Sequence, residues 1–358
     1  MKELATRVCE LLQSPDRVKR IQRAFSHRRR SAMLKLIEHE IRSASTHLRS
    51  HPFCVMLDPG PVCNLRCPFC PTTTGWSELK REFLKPEVFH RIAGNLRLDL
   101  VQELHLYNWG EPFLNPYLTD YIRYFSQHGT RTIVHTNFSS NDFDDRFLVR
   151  LVDSGLTTLI ISIDGASQET YEKYRVGGDI QRVLQNMRRL KDVKSGLGAT
   201  NPTVSYKMLL NRFNEHEQDD ARRLAQDCGA EFVVHENFWM PNELRTEWMA
   251  RSVLDKRGQI PVTSQAAGPI PTECRQLWDT VIVNANGDVF PCCLVCKPRH
   301  AVGNLAEQDI RHIWNNEKMQ KLRRYVTDVN AGPLSFDNAC EVCPNRSCVH
   351  QKLLPDST

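Results

Sequence analysis

Cys63-Asn64-Leu65-Arg66-Cys67-Pro68-Phe69-Cys70 carries three cysteines, three and then two residues apart, just past the apolar run Phe53 to Leu57. On a loop leaving a strand, that spacing lets three thiolates point at one centre and leaves one corner of the site unfilled. Thiolate-rich ligand sets select iron–sulfur clusters or zinc. A structural zinc site is closed by a fourth protein ligand. Three cysteines with an open corner therefore read as an iron–sulfur cluster with one iron free to take a further ligand.

With 358 residues, 41% of them hydrophobic, the chain can bury a large core and has room for a smaller second unit. Its thirteen cysteines sit in tight clusters separated by long gaps, such as that from Cys70 to Cys228. With no signal peptide at Met1-Lys2-Glu3-Leu4, this distribution favours metal ligation in a reducing compartment over a disulfide framework. No apolar stretch is long enough to span a bilayer, so the expectation is a cytoplasmic protein. The net charge of +5 supplies no global field for nucleic acid. One local excess, Arg17, Lys19, Arg20, Arg23, Arg28, Arg29 and Arg30, suits an anionic surface or an acidic partner. The simpler expectation is a solvated helix face packed on the main domain.

Residues 1–50 show helical spacing of Leu11, Val18, Ile21, Phe25, Met33 and Ile37 among charges, an N-terminal helical extension. It is too short and too charged to be a separate peptide-capturing domain. From 51 to 240 strands alternate with helices. Strands are predicted at Phe53–Leu57, Val101–Tyr107, Thr132–His135, Thr158–Ile163, Val204–Leu209 and Glu231–His235. Helices are predicted at Pro86–Leu96, Pro116–His128, Asn141–Ser154, Gln168–Lys191 and Glu215–Cys228. Repeated β–α units imply parallel strands with right-handed crossovers, hence an α/β barrel or a doubly wound sheet.

In either architecture chemistry sits at the carboxyl ends of the strands. There stand Gly110-Glu111-Pro112 after the second strand, Thr136-Asn137 after the third, and Ser162-Ile163-Asp164-Gly165 after the fourth, with Arg175 beyond. Each alone is more often a turn or a capped loop. His135, Lys207, His235 and Glu236 are candidates for substrate contact, and Cys9, Cys54 and Cys228 read as core thiols. Residues 241–272, rich in Pro, Gly, Arg and Gln, read as a connector or lid. Beyond it, Asn286-Gly287 between apolar runs predicts a tight hairpin that brings Cys274 and Cys292 towards one centre, followed by an amphipathic helix and Cys340-Glu341-Val342-Cys343. Those four cysteines suit a zinc ribbon or an iron–sulfur site equally by spacing.

The cysteine loop with Phe69, the Gly110-Glu111-Pro112 triplet, Ser162 and Arg175, taken in order, resemble the radical S-adenosylmethionine superfamily. Residues 274–343 resemble its SPASM or twitch extension. The resemblance implies a partial (β/α)6 barrel with a small cysteine-rich α+β domain at 273–358. It implies that Cys63, Cys67 and Cys70 hold a 4Fe-4S cluster whose open iron chelates S-adenosylmethionine, with Phe69, Gly110, Glu111, Ser162 and Arg175 around that cofactor. Glu111 would meet the methionyl amine, although Trp109 replaces the family's first glycine. Cys274, Cys292, Cys340 and Cys343 would hold one auxiliary 4Fe-4S cluster, leaving Cys293, Cys296 and Cys348 spare.

A radical enzyme of this type generates a 5′-deoxyadenosyl radical and abstracts hydrogen from its substrate, with flavodoxin or ferredoxin as electron donor. The auxiliary cluster is then a candidate electron acceptor, which would make the enzyme an oxidoreductase. A small-molecule substrate is the leading expectation, with peptide or protein modification as the alternative. A non-catalytic metal-binding scaffold and RNA modification are weaker alternatives. A scaffold does not need an unfilled ligand position, and the near-neutral charge argues against nucleic acid.

Overall fold

The computed structural model describes residues 15–236, 244–254, 274–328 and 334–336. Helix α1 (Pro15–Arg42) leads by an irregular strap into β1 (Cys54–Leu57), a run buried along its whole length. The cysteine loop winds straight into a short turn, α2 (Pro71–Thr74), before α3 (Pro86–Gly94) and β2 (Glu103–His105). There follow α4 (Leu118–Gln127), β3 (Arg131–Thr136), α5 (Asp145–Asp153), β4 (Thr158–Ser162), α6 (Gln168–Tyr174), α7 (Ile180–Gly196), β5 (Thr203–Leu209), α8 (Gln218–Asp227) and β6 (Glu231–His235). These six strands are parallel and neighbours in chain order, and the sheet stays open. That is the expected partial (β/α)6 barrel.

Alternation along the strands divides the sheet into two faces. Val55, Leu57, Leu104, Val134, Leu159, Ile161, Tyr206 and Met208 join the core beneath the outer helices. Their neighbours Met56, His105, His135, Ile160, Ser162 and Lys207 turn to the inner face. Local chemistry sets the helix boundaries. The Asp144 carboxylate accepts from Phe147 N at 2.7 Å to start α5, and Gly155, at φ +81°, stops the chain after it.

The helix predicted over Gln168–Lys191 is instead two. Gly177 takes φ +85°, and a side chain on Gly178 would lie 2.6 Å from the Tyr171 hydroxyl. Arg175 swings out of the helix to meet Asp164, and Asp179 restarts the helix by capping Gln181 and Arg182. The Gly177-Gly178-Asp179 stop and cap, together with the Arg175–Asp164 ion pair, thus divides a stretch whose apolar periodicity runs on.

After α9 (Arg245–Trp248) and α10 (Gln276–Asp279), the predicted hairpin forms as β7 (Thr280–Val283) and β8 (Asp288–Phe290), with Gly287 at φ +92° in the turn. Its position was not legible in the sequence. β7 pairs in parallel with β1 from Cys54↔Thr280 to Leu57↔Val283, so the C-terminal hairpin and β9 (Gly303–Asn304) complete one nine-stranded sheet ordered β6-β5-β4-β3-β2-β1-β7-β8-β9. Helices α11 (Ile310–Trp314) and α12 (Glu317–Thr327) cover its end. Among the described residues no helix is long and apolar enough to cross a membrane.

Candidate active site

The cysteine loop is wound tight by its own backbone. Cys70 N donates to Cys67 O at 3.2 Å, and the Thr73 hydroxyl donates to Cys67 O at 2.7 Å. All three thiols lie close enough that charge on Cys67 or Cys70 opposes charge on Cys63, and burial pushes the Cys63 thiol up to about 12. Ligation by metal removes those protons. Around one zinc ion, sulfurs about 2.3 Å from the metal sit only about 3.8 Å apart. Among the described residues, the group whose ligand atoms all fall within 4.8 Å of one another is Cys54, Glu103 and His105, so the triad is spread more widely than that. It suits a four-iron cluster better than a single ion.

Packing closes the loop from the far side. Phe69 is 2% exposed and meets Trp248 edge-on at 4.8 Å and Tyr174 at 5.6 Å, while Phe213 meets Trp248 at 4.9 Å. This aromatic wall joins the cysteine loop, the end of α6, the segment after β5 and the start of the connector. No periodicity in the sequence singles out Trp248 or Tyr174, because the ring contacts that join them to Phe69 are long-range.

Arg175 is bound on two sides. Its Nε donates to Asp164 Oδ2 at 2.6 Å and one terminal nitrogen reaches Cys67 Sγ at 3.8 Å. Burial works against its charge, but Asp164 and Cys67 outweigh that and hold the guanidinium well above its ordinary value. The same cation opposes the burial that raises the Cys67 thiol. Asp164 spends its other oxygen on Leu209 N at 2.7 Å.

Gly110 is where two backbones touch. A Cβ there would fall 1.8 Å from Gly60 O, and Glu111 N donates to Val62 O at 2.8 Å. The Glu111 carboxylate accepts from the Thr136 hydroxyl at 2.6 Å, Asn137 N at 2.7 Å and Phe113 N at 3.1 Å. Burial raises its pKa and those three bonds pull it back. What it offers an ammonium group is therefore its remaining lone-pair capacity and the backbone path that it braces. Asn137 extends the brace, with its amide 2.9 Å from Asn64 Oδ1 and 3.7 Å from Cys63 Sγ. Ser162 sits beside Lys207 in the β4–β5 register, with no hydrogen-bond partner for its hydroxyl among the described residues.

Trp109, where a glycine was expected, ties the loop to its surroundings. Its backbone N–H donates to Asp58 Oδ2 at 3.1 Å and its indole N–H to Val295 O at 3.1 Å. The indole thus reaches across to the cysteine-rich segment, where Cys274, Cys292 and Cys293 gather, while Cys296 Sγ lies 3.7 Å from Trp76 O. Cys292 and Cys293 share a hydrogen bond that raises the first thiol and lowers the second to about 6, and charge on Cys274 also raises Cys292. Gln276 Nε2 lies 3.2 Å from Cys293 Sγ. Cys340, Cys343 and Cys348, like Cys9, lie outside the described residues. Cys228 is a core thiol at 3% exposure. Cys54, read as another, is buried as well, with its sulfur close to Glu103 and His105 on the inner side of the sheet.

Residues 57–225 match the radical SAM superfamily, and residues 274–348 match SPASM, an iron–sulfur cluster-binding domain. The chain is 25% identical over 319 residues to the AdoMet-dependent heme synthase of Methanosarcina barkeri, spanning 78% of this chain and 85% of the relative. It is 28% identical over 148 residues to dTDP-4-amino-4,6-dideoxy-D-glucose ammonia-lyase of Streptomyces venezuelae, spanning 40% of this chain and 30% of the relative. Its fold is similar to that of Streptococcus suis SuiB bound to S-adenosylmethionine, with a TM-score of 0.59 at 16% identity over 93% of this chain and 77% of SuiB. The chain belongs to the radical S-adenosylmethionine superfamily, as an enzyme with a C-terminal SPASM domain whose cofactors are 4Fe-4S clusters and S-adenosylmethionine.

Proposed function

We propose that this enzyme acts on a small metabolite, as an oxidoreductase catalysing a dehydrogenation or a related rearrangement. The observation that carries the reading is the inner face of the sheet behind the cysteine loop. His105, Tyr107, His135, Ser162, Lys207 and His235 follow one another along it, with the Tyr107 and His135 rings stacked at 3.8 Å. A few convergent polar groups in a concave wall are what fixes the orientation of a small ligand. The names of the two relatives, a heme synthase and a deoxysugar ammonia-lyase, support the same substrate scale.

In this reading Cys63, Cys67 and Cys70 hold the catalytic cluster, and Phe69, Gly110, Glu111, Ser162 and Arg175 surround S-adenosylmethionine. Cys274 and Cys292 hold the auxiliary cluster together with Cys340 and Cys343. When bound, the reduced cluster and S-adenosylmethionine supply a 5′-deoxyadenosyl radical for hydrogen abstraction. The chain itself binds, orients and excludes water. Arg175 sets a positive charge beside Cys67, and the Phe69, Tyr174, Phe213 and Trp248 rings keep solvent from the loop. A flavodoxin or ferredoxin donor, a cytoplasmic location and a division at 1–50, 51–240, 241–272 and 273–358 belong to the same proposal.

The test is anaerobic reconstitution with counting of iron and sulfide, then reduction with S-adenosylmethionine present and assay of 5′-deoxyadenosine. About eight irons per chain, with 5′-deoxyadenosine formation stimulated by a metabolite fraction, is the expected result. Stimulation by a peptide fraction alone would replace this reading with a peptide maturase. Bound iron with no 5′-deoxyadenosine under any condition would return the protein to the scaffold reading.

A further inference from the structure

We propose that Lys207, flanked by His135 and His235, is the subsite for an anionic group of the substrate, a phosphate or a carboxylate, on the wall of the inner face next to Ser162. The inference deepens the small-metabolite reading and rests on it.

Lys207 lies in the middle of β5, opposite Ser162 on β4 and Val233 on β6. Strand alternation sends Tyr206 and Met208 into the outer core, so the lysine side chain is directed to the inner face. It is half-buried there. Among the described residues its ammonium group has no hydrogen bond and no ion pair, whereas sixteen other cation–carboxylate or histidine–carboxylate contacts are made across the molecule. The acid within electrostatic reach, Asp164, is already bound by Arg175 at 2.6 Å and by Leu209 N at 2.7 Å. A partly desolvated cation without a counter-charge is costly to keep unless a ligand supplies the charge.

The surroundings are all of one kind. His135 feels Lys207, His105 and His235, and burial with those neighbours lowers it to about 3, so its ring is neutral. A neutral imidazole still donates one N–H to an oxyanion. His235 stands opposite Leu209, two residues along the same strand from Lys207. Glu103, the carboxylate on this face nearest the histidines, is bound by Arg131 at 3.2 Å and His105 at 3.1 Å. Among the described residues the wall thus presents the Lys207 ammonium and imidazole donors, while Glu103 and Asp164 are already bound.

The experiment is anaerobic calorimetry on the reconstituted holoenzyme with S-adenosylmethionine saturating, so that the carboxylate site of the cofactor is filled. Pyrophosphate and malonate are titrated separately into wild type, Lys207→Gln and Lys207→Arg. The expected result is binding of at least one anion to wild type, weakened tenfold or more by Lys207→Gln and largely restored by Lys207→Arg. Preference for pyrophosphate assigns a phosphorylated substrate, and preference for malonate a carboxylated one. No binding to wild type overturns the proposal, as does equal binding to Lys207→Gln. Loss of S-adenosylmethionine affinity in place of anion affinity also overturns it, by giving Lys207 to the cofactor. Because the readout needs no turnover, a failure here is distinct from failure to form 5′-deoxyadenosine, which would strike the radical reading itself.

Discussion

Gly110 allows no side chain. A methyl group there would fall 1.8 Å from a backbone oxygen of Gly60, and backbone cannot rotate away as a side chain can. Gly110→Ala is expected to push apart the Gly60 and Gly110 segments at a cost of about 1–3 kcal/mol. It should also lower S-adenosylmethionine affinity at least tenfold, read by equilibrium binding to the reconstituted protein. Beside it, Asp58 is fully buried with its oxygens on Gly60 N and Trp109 N, and burial raises its pKa to about 6. A carboxyl whose folded pKa exceeds its unfolded value gives stability that is fully present below the unfolded pKa and is lost as pH rises through the folded one. Wild type should therefore gain stability over Asp58→Asn as pH falls from about 6 to about 4. Denaturant titrations at several pH values would show it, and a pH-independent difference would contradict it. Gly110 was singled out from the sequence for close backbone approach, but Asp58 was not, since it acts through chain segments brought together only by folding.

Helix α1 turns a run of basic residues into a fastening. Arg30 is 6% exposed and donates to the carbonyls of Gly129 at 2.6 Å, His128 at 3.2 Å and Leu98 at 3.3 Å, satisfying the C-terminal end of α4. Arg29 pairs with Asp99 at 3.0 Å on the surface. The described part of the basic stretch is thus a helix packed on the main domain. The side chains of Arg17, Lys19, Arg20 and Arg23 lie outside the described residues. Arg30→Met should lower stability by about 2 kcal/mol through the orphaned carbonyls, read as a fall in the denaturation midpoint. Arg29→Met, which removes an exposed pair, should cost under about 1 kcal/mol. Strand and helix periodicity predicted most of the barrel elements to within a few residues. It failed at α6 and α7 by running the helix through Gly177-Gly178-Asp179, a local stop and N-cap that the apolar periodicity overrode, where Arg175 leaves the helix to meet Asp164.

The barrel and the cysteine-rich segment share one sheet. β1 is buried because β2 pairs with one edge and β7 with the other, and the strap after α1 clasps the far side. Leu48 and Asn315 exchange hydrogen bonds at 2.8 and 2.7 Å, Trp278 donates to Ser45 O at 3.0 Å, and Arg323 donates to Thr46 O at 3.0 Å. A chain ending at residue 240 would leave the apolar edge of β1 unpaired, an exposed template for aggregation. Such a truncation is expected to be insoluble or to form large assemblies in size-exclusion chromatography. A soluble monomeric fragment would show that the barrel is independent of the hairpin.

Chemistry that depends on residue type and short spacing was readable from the chain alone. The three-cysteine loop, the repeated β–α units and the Asn286-Gly287 hairpin all express local rules, because ligand spacing, side-chain alternation and turn stereochemistry act over a few residues, whereas Ser162 and Arg175 were singled out only through the family resemblance. Tertiary structure alone decided what those pieces face. It seated β7 against β1, placed Trp248 against Phe69, gave Arg175 to Asp164 and Cys67, and left Lys207 on the inner face without an ion pair among the described residues. Most of these join residues far apart in the chain, and the free energy that selects them comes from packing and charge in the assembled core, which no local stretch of the chain possesses.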